Sequence, residues 1–231
     1  MSEFFNHKLE APFERAIKTN DTNGFFNEWE KSDFNTQMFI AQSLNSIRDE
    51  RFGGEMLRRC RQLIEDLIIT KEHHPILVAL GKIGAQNESL EDASSDLLLE
   101  LLADASIKEN GAIYIVDSLK QKMHRAINPI RAGRDNSQQQ KSRIIRIGSN
   151  IIDFISTHDD TEILKFVLPD IAMVSYSDYM QGVLKDKLLE LKEKYQDNEG
   201  IVSLVENELE KAEKIKLYKA RTIPVENNEN K

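Results

Sequence analysis

Apolar residues recur along this chain at intervals of three and four, the spacing that gathers them on one face of a helix. Pro12 suits the first turn of a helix running to about Thr19, and Phe25, Phe26 and Trp29 follow as a short aromatic helix after Asn23. Ser32 or Asp33 can cap the next, with a face of Phe34, Met38, Ala41, Leu44 and Ile47, and the Gly53-Gly54 pair is expected to stop it. Met56, Cys60, Leu63, Ile64, Leu67 and Ile68 then form a stripe from Glu55 to about Lys71. Pro75 opens a shorter helix ending near Gly84. Ser89, with Glu91 and Asp92 in the first turn, opens a helix whose apolar positions are Leu90, Ala93, Leu97, Leu98, Leu101 and Leu102. Its partner, from about Lys108, uses Ala112, Val116, Leu119, Met123 and Ile127 and is expected to end at Pro129.

Residues 128–140 contain Asn, Pro, Gly, Asp, Ser and three glutamines, a composition that predicts a long loop. Beyond it, Ile144, Ile145, Gly148, Ile151, Ile152 and Ile155 keep helical spacing despite the strand propensity of isoleucine. Thr157 and Asp160 can cap a segment carrying Ile163, Leu164, Val167 and Leu168, which Pro169 kinks or breaks. Ser177 opens a helix with Met180, Val183, Leu184, Leu188, Leu191 and Tyr195. The last helix, about Glu199 to Ala220, shows Val202, Val205, Leu209 and Ala212 as its apolar face. Its charges at Glu206, Glu208, Glu210, Lys211, Glu213 and Lys214 read as a face turned to solvent or to a partner copy. The pattern predicts an all-α protein of roughly nine to eleven helices joined mainly by short turns, packed as antiparallel hairpins.

Composition agrees with the pattern. Of 231 residues, 40% are hydrophobic and 30% charged, and 5 prolines with 10 glycines are too few for a β architecture rich in turns. That length suits one domain, read here as residues 1–220 followed by a disordered tail over 221–231. No stretch approaches 18 apolar residues and no apolar leader follows the first residues, so neither a membrane span nor a secretory signal is expected and the cytoplasm is the expected compartment. Cys60 is the only cysteine, which excludes an internal disulfide and a thiolate metal cage.

The net charge of -8 opposes indiscriminate binding to nucleic acid or anionic lipid, yet the segment from Lys120 to Arg146 carries eight basic residues against Asp135 alone, leaving -15 on the remainder. Lys120, Lys122, Arg125, Arg131, Arg134, Lys141, Arg143 and Arg146 are therefore the candidate binding residues, for an anionic partner. Lys120, Lys122 and Arg125 also suit a helix C-terminus, and Arg143 and Arg146 the outer face of the helix that follows. Arg131 and Arg134 lie in the predicted loop, where guanidinium groups can reach carboxylate or phosphate in bidentate fashion.

Other chemistry finds little support. His73-His74 stand at a helix boundary with no His-Glu-x-x-His pattern, and His158-Asp159-Asp160 matches a helix cap as well as a metal site. Cys60 lies on an apolar stripe, as a structural cysteine would. Gly81-Lys82-Ile83-Gly84 spells a GxxG, but the strands of the corresponding nucleic-acid module are missing, and a helix C-terminus accounts for both glycines. No Walker loop or dinucleotide fingerprint occurs. No cofactor, metal or catalytic residue is assigned.

The Leu98–Asp104 helix end, the turn after it, the Ala112/Val116/Leu119 face and the Ala79-Leu80-Gly81-Lys82-Ile83-Gly84 ending together resemble HEAT repeats over about residues 76–123. The usual Val-Arg pair of such repeats is replaced by Lys108-Glu109. The resemblance implies a short HEAT-like α-solenoid, with an irregular helical bundle as the alternative. Repeat-like helical pairing with no catalytic motif points to a non-enzymatic adaptor that binds another protein, and the charge asymmetry to the basic loop engaging an acidic partner. The alternative is a nucleic-acid-binding helical protein. Its minor version is a HEAT-like DNA glycosylase, which would need a Trp/Asp/Arg constellation that this chain, with Trp29 its one tryptophan, does not display.

Overall fold

A computed structural model describes residues 11–44, 49–65, 73–85, 87–103, 108–131 and 138–222. Among the described residues every regular element is a helix: α1 (Ala11–Thr19), α2 (Thr22–Lys31), α3 (Phe34–Gln42), α4 (Glu50–Glu65), α5 (His74–Lys82), α6 (Glu88–Ala103), α7 (Lys108–Arg131), α8 (Gln138–Thr157), α9 (Thr161–Val167), α10 (Asp178–Lys194) and α11 (Glu199–Thr222), with a 3-10 helix (Ile171–Tyr176) before α10. The fold is all-α, with helices packed on helices. The chain divides into two compact units, Met1–Lys122 and Met123–Lys231, the division falling within α7.

In the first unit, Asp21 and Asp33 cap α2 and α3, their carboxylates accepting from Gly24 N at 2.9 Å and Thr36 N at 2.7 Å. Phe25 lies edge-on to Phe13, Phe26 and Phe52 and stacks on Trp29, so α1, α2 and α4 meet around one ring. The Arg59 guanidinium covers Phe26 at 5.0 Å and bonds the side chain of Asn23. α3 packs on α5, and α4 and α5 both pack on α6. α5 is buried from His74 to Gly81, as its apolar run on all sides requires. The cap of α6 is Asn87, whose side chain accepts from Leu90 N, rather than Ser89.

Two sequence expectations fail here. Gly53 and Gly54 do not stop α3, which ends at Gln42; both lie inside α4, which Asp49 opens by accepting from Arg51 N and Phe52 N. A Cβ at Gly53 would sit 2.2 Å from Leu90 Cδ1, so this glycine is there for the close approach of α4 to α6. Pro129 does not end α7 either. Proline removes one intrahelical bond and crowds the carbonyl four residues back, yet α7 carries Pro129 and is helical through Arg131, where the described residues stop. Residues 128–131 and 138–140 are consequently helical, and of the expected loop only 132–137 remains, outside the described residues together with Ile47, Leu67, Ile68 and 223–231.

In the second unit α8 buries Ile144, Ile147, Gly148, Ile151, Ile152 and Ile155. Asp160 caps α9 by accepting from Glu162 N and Ile163 N. Pro169 ends that segment, and Asp170, with φ of 66°, turns the chain into the 3-10 helix. α10 buries Met180, Leu184, Leu188 and Leu191. It runs antiparallel to α11: Lys192 pairs with Glu206 at 2.8 Å near the connecting turn, and Lys219 pairs with Asp178 and bonds Tyr176 O at the other end.

α11 corrects the predicted register. Its buried positions are Ile201, Val205 and Glu208, while Val202, Leu209 and Ala212 are half-buried. Glu208, expected to face solvent or a partner copy, is fully buried: one carboxylate oxygen accepts from Ala172 N at 3.0 Å, the other from Lys211 at 2.7 Å. Lys211 also reaches Asp170 at 3.1 Å. Glu208 thus supplies the acceptor that the start of the 3-10 helix lacks from its own chain.

Candidate interaction surface

The basic segment is distributed, not gathered. Lys122 is 1% exposed and Lys120 and Arg143 are also buried; Arg125, Lys141 and Arg146 are half-buried; the side chain of Arg131, and Arg134 altogether, lie outside the described residues. Because α7 continues to Arg131, Lys120 and Lys122 occupy its middle rather than its last turn, and the macrodipole does not explain them. Arg143 belongs to the buried face of α8, not its outer face.

The Lys122 ammonium has an internal use. Nζ donates to Glu91 Oε2 at 3.0 Å, to Ser94 Oγ at 2.6 Å and to Ile83 O at 3.0 Å. All three donors of the ammonium therefore meet acceptors. The arrangement requires α6 to begin close beside the end of α5. Gly84 provides this: its φ is +91°, and a Cβ there would lie 2.3 Å from Glu91 N. Beside it, Ser118 of α7 donates to Leu77 O at 2.9 Å, tying α7 to α5 a second time.

The remaining candidates for chemistry are structural or dispersed. Cys60 is buried, and burial pushes its thiol up to about 12, far from a thiolate at neutral pH. His74 is buried and stacked on Tyr114 at 3.9 Å, inside the packing of the first unit. His158 stacks on Phe154 at 4.7 Å. No group of three or more His, Cys, Asp or Glu that could hold a metal occurs among the described residues. No helix among them is long and apolar enough to cross a membrane.

What composition and charge did not reveal is a groove of about 350 Å³ along the α10–α11 hairpin. One wall is Gln181, Gly182, Lys185 and Leu189, a face of α10; the other is Leu209, Ala212, Glu213 and Lys216, a face of α11 with i, i+3, i+4, i+7 spacing. Ser175, 1% exposed, reaches the groove from the 3-10 helix, and its Oγ has no hydrogen-bond partner. A second recess of about 240 Å³ lies beside His124, Asp170 and Lys211, but its lysines are engaged, Lys211 with Glu208 and Asp170 and Lys214 with Glu210. Helical spacing on α11 contained the groove's far wall, hidden because half of that face is polar.

The chain was compared with protein-family models, curated proteins and solved structures, and none matches it.

Proposed function

We propose that this chain is a non-enzymatic helical module that binds an acidic protein partner. The observation that carries the reading is apolar surface in the second unit. Phe166, Tyr179, Leu189, Leu217 and Tyr218 are exposed to between 46% and 70%, whereas Phe34 is the comparable residue among the described part of the first. Of these, Leu189 lines the α10–α11 groove with Leu209 and Ala212, and apolar surface gathered in one recess marks a contact site where single exposed side chains do not. The partner's acidity is inferred from the sequence, which sets eight cations between Lys120 and Arg146 in a chain of net charge -8; with Lys120, Lys122 and Arg143 buried, the five others would carry it. A HEAT-like architecture and a cytoplasmic location are part of the same proposal; α5, α6 and α7 following one another across residues 76–123 support the first.

The net charge of -8 repels a polyphosphate, and with Lys120, Lys122 and Arg143 buried five cations at most would face it, which makes nucleic acid the second reading. The test titrates the full chain with labelled polyglutamate, duplex DNA, single-stranded DNA and RNA between about 50 and about 200 mM salt. Binding of the polypeptide, weakened by Arg131→Ala/Arg134→Ala/Arg146→Ala, is expected. Steeply salt-dependent nucleic-acid binding lost in the same variant would overturn the protein-partner reading, as would binding of neither class.

A further inference from the structure

We infer that the α10–α11 groove is the seat of the partner, and that its occupant is an amphipathic helix bearing carboxylates on both flanks of its apolar stripe. The inference rests on the protein-binding reading and specifies its site.

The groove is long enough to seat two turns of a helix. Leu209 to Lys216 covers two turns of α11, and Gly182 to Leu189 two turns of α10, about 10 Å each at 1.5 Å per residue. Between two antiparallel helices, a third can lay an i, i+3/i+4, i+7 stripe against Leu189, Leu209 and Ala212. The space is open: nothing lies within 4 Å of a Cβ built on Gly182.

Charge selects the occupant. Lys185 stands on one wall and Lys216 on the other, both exposed and neither with an acidic partner among the described residues. The neighbouring lysines of both helices are already paired, Lys187 with Glu190, Lys192 with Glu206 and Lys214 with Glu210. A carboxylate on each flank of the incoming helix answers these two cations. Glu213, one turn before Lys216 on the same wall, asks for a basic or hydroxyl side chain one turn from the carboxylate that meets Lys216. The Ser175 hydroxyl is the second sign that something is missing. A buried hydroxyl without a partner is uncommon, and a polar side chain or backbone carbonyl of the occupant would satisfy it.

The test is a displayed library of amphipathic helical peptides with fixed apolar stripes and flanks varied among Glu, Gln and Lys, selected on the full chain. Enriched peptides are then titrated by fluorescence anisotropy against wild type, Gly182→Leu and Lys185→Glu/Lys216→Glu. Gly182→Leu places a side chain in the groove with no clash behind it, and circular dichroism checks that its helix content is retained. Glu-flanked sequences are expected to enrich, to bind Gly182→Leu at least about tenfold more weakly, and to give way to Lys-flanked sequences on the charge-reversed variant. Acidic peptides that bind Gly182→Leu as tightly as wild type would sink the groove and leave the broader reading standing. Failure of every acidic peptide to enrich would sink the groove proposal, while the polyglutamate titration decides the broader reading. Displacement of a peptide without flank preference by dodecanoate would make the groove a small-molecule pocket instead.

Discussion

A buried ammonium is stable only where each of its donors finds an acceptor, and Lys122 finds Glu91, Ser94 and Ile83 O. Removing one partner leaves the other's charge stranded, so Lys122→Met is expected to lower stability by about 3–5 kcal/mol, read by urea unfolding. Adding Glu91→Leu should return much of that loss, because the double change removes both charges from the interior. A Lys122→Met chain as stable as wild type would mean that the ammonium is solvated in solution. The sequence held a positional sign of this burial. Ile115, Leu119, Lys122 and Ala126 follow i, i+4, i+7, i+11, and all four are buried. Ile201, Val205 and Glu208 repeat the pattern on α11. Sorted by type, both charged groups go to the surface; Glu91, Ser94 and Ile83 O for Lys122, and Ala172 N with the nearby Lys211 for Glu208, explain why they stay inside.

At the scale of the element, α4 shows how helix and context divide the work. Its Gly53 is a poor helix former kept for proximity to Leu90. Gly53→Ala gains intrinsic helix propensity yet must displace Leu90, and a net loss of about 1–3 kcal/mol is expected in chemical denaturation. Adding Leu90→Ala should make the glycine substitution nearly silent. Two residues on, the hydrogen bonds from Arg58 and then Arg59 hold the Glu55 carboxyl down to about 2 from an ordinary 4.5. The folded value lies below the unfolded one, so this contribution is complete above pH 4.5 and disappears as pH falls toward 2. The melting temperature of Glu55→Gln should therefore trail wild type by a constant margin above that range and converge with it on acidification. A margin unchanged at the acid end would show that the arginines do not hold the carboxylate. Helix periodicity placed α8, α9 and α10 within a few residues because their caps and apolar faces agree. It misjudged the ends of α3 and α7, where a glycine inside a helix and a proline in a last turn are tolerated for tertiary and positional reasons.

For the whole molecule, helix class was legible because local spacing suffices for it, whereas the interaction surface was not. Charge counted along the chain overstated the basic segment, since three of its side chains fold inward, and the groove arises from two helices whose polar residues give no run to notice. The division into two compact units predicts where damage should register. By hydrogen exchange, Lys122→Met should lower protection in α5, α6 and the start of α7. Glu208→Ala, which deprives Ala172 N of its acceptor, should do so in the 3-10 helix and α11. Matching losses throughout the chain from either variant would show that it unfolds as a single cooperative body.

The enclosure of Lys122 also gives the protein a built-in chemical clock. Acylating reagents and trypsin both need an accessible lysine, and while α5, α6 and α7 hold together this one is withheld from them. Modification or cleavage at that single residue would time the opening of the clasp against the rapid labelling of exposed lysines such as Lys185 and Lys216, with no probe added to the chain.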